Sequence, residues 1–172
     1  MAEVVLAERW PPRLRALELG CGLGLAGLAA LACGMRVTFS DYSPAALAVA
    51  AHNARANGFT EFAVLELDWR SPPPEQFPLV LGADVLYEKR CLPQILHVLA
   101  TMLAPGGVAL LTDPFRVNAE PFAELARQRG FAVHSRSHAT RETGAARAKG
   151  RVYRLTRDRE HHTARDSRGR LS

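Results

Sequence analysis

The chain has 172 residues, 48% of them hydrophobic and 23% charged, which is ordinary usage for one globular domain long enough to bury a full core. Its three cysteines, Cys21, Cys33 and Cys91, form neither an even disulfide framework nor a metal-ligand pair, and no apolar stretch reaches the length of a membrane span; a reduced, cytoplasmic protein is expected. Residues 1–134 carry 11 basic and 13 acidic side chains, whereas residues 135–172 carry 11 basic and 4 acidic. The surplus positive charge therefore belongs to the end of the chain, which argues against a nucleic-acid-binding body.

Taken in order, the elements alternate. Arg15–Leu19 reads as a first strand, followed by a glycine turn and a small-residue helix over Leu23–Cys33. Arg36–Ser40 is a second strand. Ser43-Pro44 opens the next helix, with a capping hydroxyl and a proline at the first helical position, and Asn57-Gly58 closes it with a left-handed stop. Phe62–Leu67 is a third strand, and Pro72-Pro73-Pro74 enforces an extended loop. Leu79–Ala83 is a fourth strand, Glu88–Leu103 a helix, Val108–Thr112 a fifth strand and Ala119–Arg129 a helix ended by Gly130. Phe131–Ser137 and Arg151–Thr156 are two further strands with no helix between them. The pattern predicts an α/β fold: a Rossmann-like, seven-stranded, mostly parallel twisted sheet, helices on both faces, and a C-terminal antiparallel hairpin. From Asp158 onward only Ala164 and Leu171 are apolar, so residues 158–172 are expected to form a basic disordered tail behind a domain spanning 1–157.

The run Leu17-Glu18-Leu19-Gly20-Cys21-Gly22-Leu23-Gly24 is the most informative local signal. Glycines let the backbone approach a ligand closely, and the following helix would aim unpaired amides at whatever lies above the turn. Seventeen positions past Gly24, Asp41 ends the second strand, placed to accept both hydroxyls of a ribose. A cap on the helix that begins at Pro44 is its alternative role. Gly22-x-Gly24-x-x-Gly27 also fits a dinucleotide fingerprint, a pattern of low specificity by itself. The six histidines have no metal spacing, and neither a Gly-x-Ser-x-Gly elbow nor a Gly-Lys-Ser/Thr loop is present. Asp113-Pro114-Phe115-Arg116 follows the fifth strand, either as a turn or as an edge of a cleft.

The ordered motifs LELGCGLG (17–24), SDYSP (40–44), LELDW (65–69) and GADVLY (82–87) resemble the class I S-adenosylmethionine-dependent methyltransferases. Asp84-x-x-Tyr87 resembles the group dominated by protein lysine methyltransferases. The resemblance spans residues 14–157 and weighs against a nicotinamide cofactor: Glu18 in the strand before the glycines, Asp68-Trp69 after the third strand and the terminal hairpin all match the methyltransferase pattern. It implies S-adenosyl-L-methionine as cofactor. Gly20, Cys21, Gly22 and Gly24 would shape the turn against its amino-acid part, and Glu18 would brace that loop from below. Asp41 would hold the ribose and Tyr42 would lie beside the adenine. Asp68 would accept from the adenine amino group, Trp69 would flank the ring and Ala83 would line the floor near the sulfonium.

Asp84 and Tyr87 would bind the acceptor, a protein lysine in first place and a small-molecule nitrogen or oxygen in second, with a non-catalytic cofactor-binding subunit as a third reading. Structural alternatives are a loop acid for Asp68, a rim residue for Trp69 and a helix cap for Asp84. The absence of a proline pair after Asp84 counts against a nucleobase acceptor. The family carries a longer segment ahead of the first strand, including a lid tryptophan, so a short or missing lid is expected here, Trp10 lying too close to the glycine turn to be that element.

Overall fold

A computed structural model describes residues 1–139 and 149–157; the tail expected at 158–172 lies outside the described residues. The elements are α1 (Ala2–Leu6), β1 (Arg15–Leu19), α2 (Leu25–Ala32), β2 (Arg36–Asp41), α3 (Pro44–Ala56), β3 (Phe62–Glu66), β4 (Phe77–Ala83), α4 (Cys91–Met102), β5 (Leu103–Asp113), a 3-10 turn (Val117–Ala119), α5 (Phe122–Gln128), β6 (Phe131–Ala139) and β7 (Lys149–Arg157). One seven-stranded sheet has the order β3-β2-β1-β4-β5-β7-β6. All pairs from β3 through β5 are parallel, and β7 runs antiparallel to both β5 and β6. The expected architecture is the observed one. Strand order reverses direction between β1 and β4, and the carboxyl ends of the strands on either side of that switch open a crevice.

Alternation along the strands divides the core into two layers. Val37, Phe39, Leu79 and Leu81 face α1, α2 and α3, whereas Leu17, Leu19, Val80 and Leu111 face α4 and α5. Each such fully buried side chain contributes roughly 1.5–3 kcal/mol. Tyr153 is fully buried in the second layer; Phe122 meets it edge-on at 5.3 Å and its hydroxyl donates to the Ala119 carbonyl at 3.3 Å. No helix joins β3 to β4. The Pro72–Pro74 loop takes that place and leaves β3 a largely exposed edge strand.

The departures from expectation have local causes. Helix α2 starts at Leu25 and not at Leu23, because Gly24 stands at φ +79 as its N-cap. Helix α4 starts at Cys91, since Glu88–Arg90 are spent in a turn in which the Cys91 N–H donates to the Glu88 carbonyl. The helix expected over Ala119–Arg129 breaks in two at Pro121, which caps α5. Helix α1 gave no sequence signal because it is a single turn. It is nevertheless held: Val4 and Val5 are buried among the α2 side chains, Trp10 Nε1 donates to the Val5 carbonyl at 2.9 Å, and Glu8 pairs with Arg154 at 2.8 Å.

Candidate active site

The glycine turn is built by backbone bonds as much as by its glycines. Gly20, Gly22 and Gly24 all have positive φ, a state that a Cβ makes costly. The Cys21 N–H donates to the Ser40 carbonyl at 2.9 Å, and the Gly24 N–H donates to the Cys21 carbonyl at 2.7 Å. Cys21 is thus pinned in the α2 layer, and burial beside Glu18 and Asp41 pushes its thiol up to about 12. Its N–H and its carbonyl each already make one bond within the turn. Gly22 differs: a Cβ there would meet nothing within 4 Å, so open space lies above that peptide.

Glu18 lies beneath the turn, 2% exposed. Its two carboxylate oxygens accept from the Ala26 and Gly27 N–H groups at 3.1 and 2.9 Å. This narrows the expectation that the first turn of α2 aims free amides at a ligand, because a buried acid already takes those of Ala26 and Gly27. Desolvation raises the Glu18 carboxyl to about 7, against the opposing pull of those two donors.

Asp41 ends β2 beside the turn. One oxygen accepts from the Gly22 N–H at 3.1 Å and the other from the Ser43 N–H at 2.9 Å. The cap of α3 is Ser43, whose hydroxyl accepts from the Ala46 N–H. Asp41 is therefore not the helix cap. Each of its oxygens keeps a lone pair for a further donor, and the carboxylate lines a cleft of about 580 Å³.

That cleft also collects Gly20, Tyr42, Asp68, Trp69, Ala83, Asp84 and Tyr87. Glu18, Cys21, Gly22 and Gly24 stand below or beside it. Trp69 is half-buried over Gly20, where a Cβ would come within 3.3 Å of its ring. Tyr42 is 69% and Tyr87 45% exposed at the rim. Asp68 is gripped by Arg70, which bonds both carboxylate oxygens at 2.6–3.0 Å and holds the acid at about 2. Asp84 does not cap α4, whose cap position is Arg90. It pairs instead with Arg116, Nε to Oδ1 at 2.6 Å. Tyr87 is fastened through its carbonyl by Asn118 Nδ2 at 2.9 Å, and burial raises its phenol.

Arg70 escaped the sequence reading, having no signal beyond its nearness to Asp68. Arg116 belonged to the segment after the fifth strand that reads as either a turn or a cleft edge, with no role of its own; the structure lays it on Asp84. Among the described residues no group of three or more His, Cys, Asp or Glu could hold a metal ion, and no helix is long and apolar enough to cross a membrane.

Residues 17–109 match the family described as a methyltransferase domain. The chain belongs to that family. This methyltransferase domain is 33% identical over 123 residues to the protein N-lysine methyltransferase METTL21A of Danio rerio, a match covering 67% of this chain and 56% of that protein. It is 36% identical over 110 residues to the ribosomal protein L11 methyltransferase of Syntrophotalea carbinolica, covering 62% of this chain and 34% of that one. The chain thus spans little more than half the length of the first of these relatives and a third of the second. The fold is that of magnesium protoporphyrin IX methyltransferase from Synechocystis PCC 6803, solved with bound SAM, at a TM-score of 0.72 and 17% identity over 91% of this chain and 76% of that one. Sheet order and family together place the domain in the class I methyltransferase fold, as the motifs suggested.

Proposed function

We propose that this protein transfers a methyl group from S-adenosyl-L-methionine to the side-chain nitrogen of a protein lysine. The observation that carries the reading is the joint lining of one cleft: Asp41, Asp68 and Trp69 from the β2 and β3 ends, and Ala83, Asp84 and Tyr87 from the β4 end, across β1. Its size suits an adenosyl-sized ligand. The residues fit that ligand: Asp41 has one open lone pair on each oxygen for a diol, Trp69 offers a face, and the uncrowded Gly22 leaves room for an amino-acid moiety. When bound, the cofactor supplies an electrophilic methyl group.

The chain's own residues then align and exclude water. Asp84 would receive the cationic amine, and the Tyr87 ring would form a wall beside it. A carboxylate favours the protonated amine, whose reference pKa is about 10.4, so desolvation between Tyr87 and the cleft wall has to oppose it before the nitrogen can attack. Raised above its ordinary range, Tyr87 stays a neutral phenol and adds no second negative charge. The names of both relatives describe protein acceptors, which supports a protein over a free metabolite. Residues 1–157 would form the catalytic domain, with 158–172 a basic tail. Unpaired Cys21, Cys33 and Cys91 suit a reducing, cytoplasmic setting.

The test is a lysate incubated with the purified protein and methyl-labelled cofactor, followed by mass spectrometry. Label on lysine-containing peptides supports the proposal. Label on metabolites alone would replace the protein acceptor with a small molecule, and no label together with calorimetric binding of S-adenosylhomocysteine would leave a binding subunit.

A further inference from the structure

Asp84, on which the acceptor chemistry rests, is already partnered. Arg116 lays its guanidinium on the carboxylate, Nε to Oδ1 at 2.6 Å and Nη2 to Oδ2 at 2.5 Å. Such a fork engages both oxygens in one plane, a geometry that a lysine ammonium cannot reproduce. Both partners are fixed from behind. Asp84 stands at φ +57, and its N–H donates to the Thr112 carbonyl at 2.8 Å. A non-glycine residue in that region persists only where its surroundings over-determine it.

On the other side, the Arg116 N–H donates to the Asp113 carboxylate at 3.1 and 3.3 Å, and Asp113 is 2% exposed. Phe115 has φ +59, with the Arg151 guanidinium 5.5 Å from its ring centre. Asn118 ties the same segment to the Tyr87 carbonyl. Residues 114–118 therefore span from the end of β5 to the loop after β4 and are fastened to both acceptor-facing residues. A second cavity, of about 270 Å³, is lined by Thr112, Asp113 and Arg151 and shares Ala83 and Asp84 with the main cleft. Asp84 thus borders both cavities, and Arg116 lies on its carboxylate.

We propose that Arg116 is a specificity-determining residue: it keeps Asp84 neutralised against free amines and yields it only to an acceptor that also displaces segment 114–118. The inference rests on the reading of Asp84 as the acceptor-binding group. A free alkylammonium brings one point charge and little contact area. To reach Asp84 it must undo a two-bond fork and then sit beside a cation of its own sign. A lysine presented on a folded protein brings additional surface against the segment, and those contacts offset the loss of the fork. Arg116 acts through Asp84 and is a positioning residue.

The experiment titrates n-butylamine hydrochloride calorimetrically into protein saturated with S-adenosylhomocysteine, comparing wild type, Arg116→Ala, Arg116→Lys and the double variant Arg116→Ala/Asp84→Asn. Arg116→Ala should bind the amine up to about fivefold tighter than wild type, the upper range for an exposed ion pair, with Arg116→Lys between them. The double variant should lose the gain. In methyl transfer to n-butylamine the KM should fall by the same factor with kcat little changed, a split that loosened folding does not produce. Unchanged amine affinity in Arg116→Ala, or a gain that survives Asp84→Asn, overturns the role of Arg116. If Arg116→Ala fails to bind S-adenosylhomocysteine, Arg116→Lys carries the comparison, and amine affinity equal to wild type then overturns it. Failure of the wild type to bind S-adenosylhomocysteine overturns the functional reading beneath it.

Discussion

Glu18→Gln isolates one buried charge and gives the fold a measurable pH signature. The wild-type carboxyl is 2% exposed and titrates at about 7, against an ordinary value of 4.5. The folded state therefore holds its proton more tightly than the unfolded chain does. Below about pH 4.5 both states are protonated and the linkage contributes nothing. Between about 4.5 and 7 the unfolded chain ionises while the folded protein resists, so stability falls as pH rises, levelling off above 7. The full fall is roughly 3 kcal/mol, from about 1.4 kcal/mol per pK unit. Glutamine has no such titration, although its amide replaces one acceptor oxygen and lowers stability at every pH by about 1–3 kcal/mol. The diagnostic quantity is thus the difference between the two proteins and not either curve alone. Urea unfolding at pH 4.5, 6 and 8 should show the wild type losing roughly 3 kcal/mol relative to Glu18→Gln, or about 6–12 °C in Tm for a chain of this size. Parallel pH profiles would refute the reasoning.

Gly27→Ala should destabilise without special effect on ligands: its Cβ would fall 2.3 Å from Phe39 Cε1 and 2.6 Å from Glu18 Oε2, an overpacking of about 1–3 kcal/mol, visible as a Tm lowered by several degrees in calorimetry. Gly22→Ala should affect binding as well as stability: a Cβ there meets nothing within 4 Å, but the residue stands at φ +49. We expect a backbone cost of about 1–2 kcal/mol and an S-adenosylhomocysteine affinity at least tenfold weaker; unaltered affinity would place the cofactor away from the turn. Arg70→Ala should let the Asp68 carboxyl, held at about 2 by that guanidinium, rise toward its ordinary range in a carbon-13 titration, and a fixed value would mean the pair does not form in solution.

What the sequence made legible was what local chemistry dictates. Ser43-Pro44 and Asn57-Gly58 fixed both ends of α3 because a cap hydroxyl and a left-handed glycine act within a few residues. Strand β1 and the turn were readable from an apolar lead-in and glycine spacing. Long-range partners were not. Nothing around Asp84 announces that a guanidinium 32 positions later lies on it, and nothing around Glu18 announces that its oxygens face two amides across the turn. The break of α5 at Pro121 was missed for a different reason, since the apolar period continues through Ala119 and Phe122 although the backbone does not. Trp69 could be placed beside the cleft by its motif, but its packing over Gly20 depends on β1 and β3 being brought together by the sheet.

The two acids of the first βα corner show how burial separates roles that the sequence leaves alike. Glu18 and Asp41 both sit on strands next to the glycine turn, and both accept two backbone N–H bonds. Glu18 is sealed under α2, so its remaining lone pairs face protein and its charge is costly; it organises the helix start and has nothing to offer a ligand. Asp41 is only half-buried and lines the cleft, so its two backbone bonds orient the carboxylate while the lone pairs they leave point to where a diol would sit. Because the Gly22 N–H is one of those two bonds, the same carboxylate also sets the shape of the turn. Loss of Asp41 should therefore weaken cofactor binding twice over, by removing the acceptor and by freeing the peptide that leaves room for the rest of the ligand. Exchange to Asn keeps one acceptor oxygen and should retain part of the affinity that Ala abolishes, whereas equal loss in both would mean that charge, and not orientation, governs the grip.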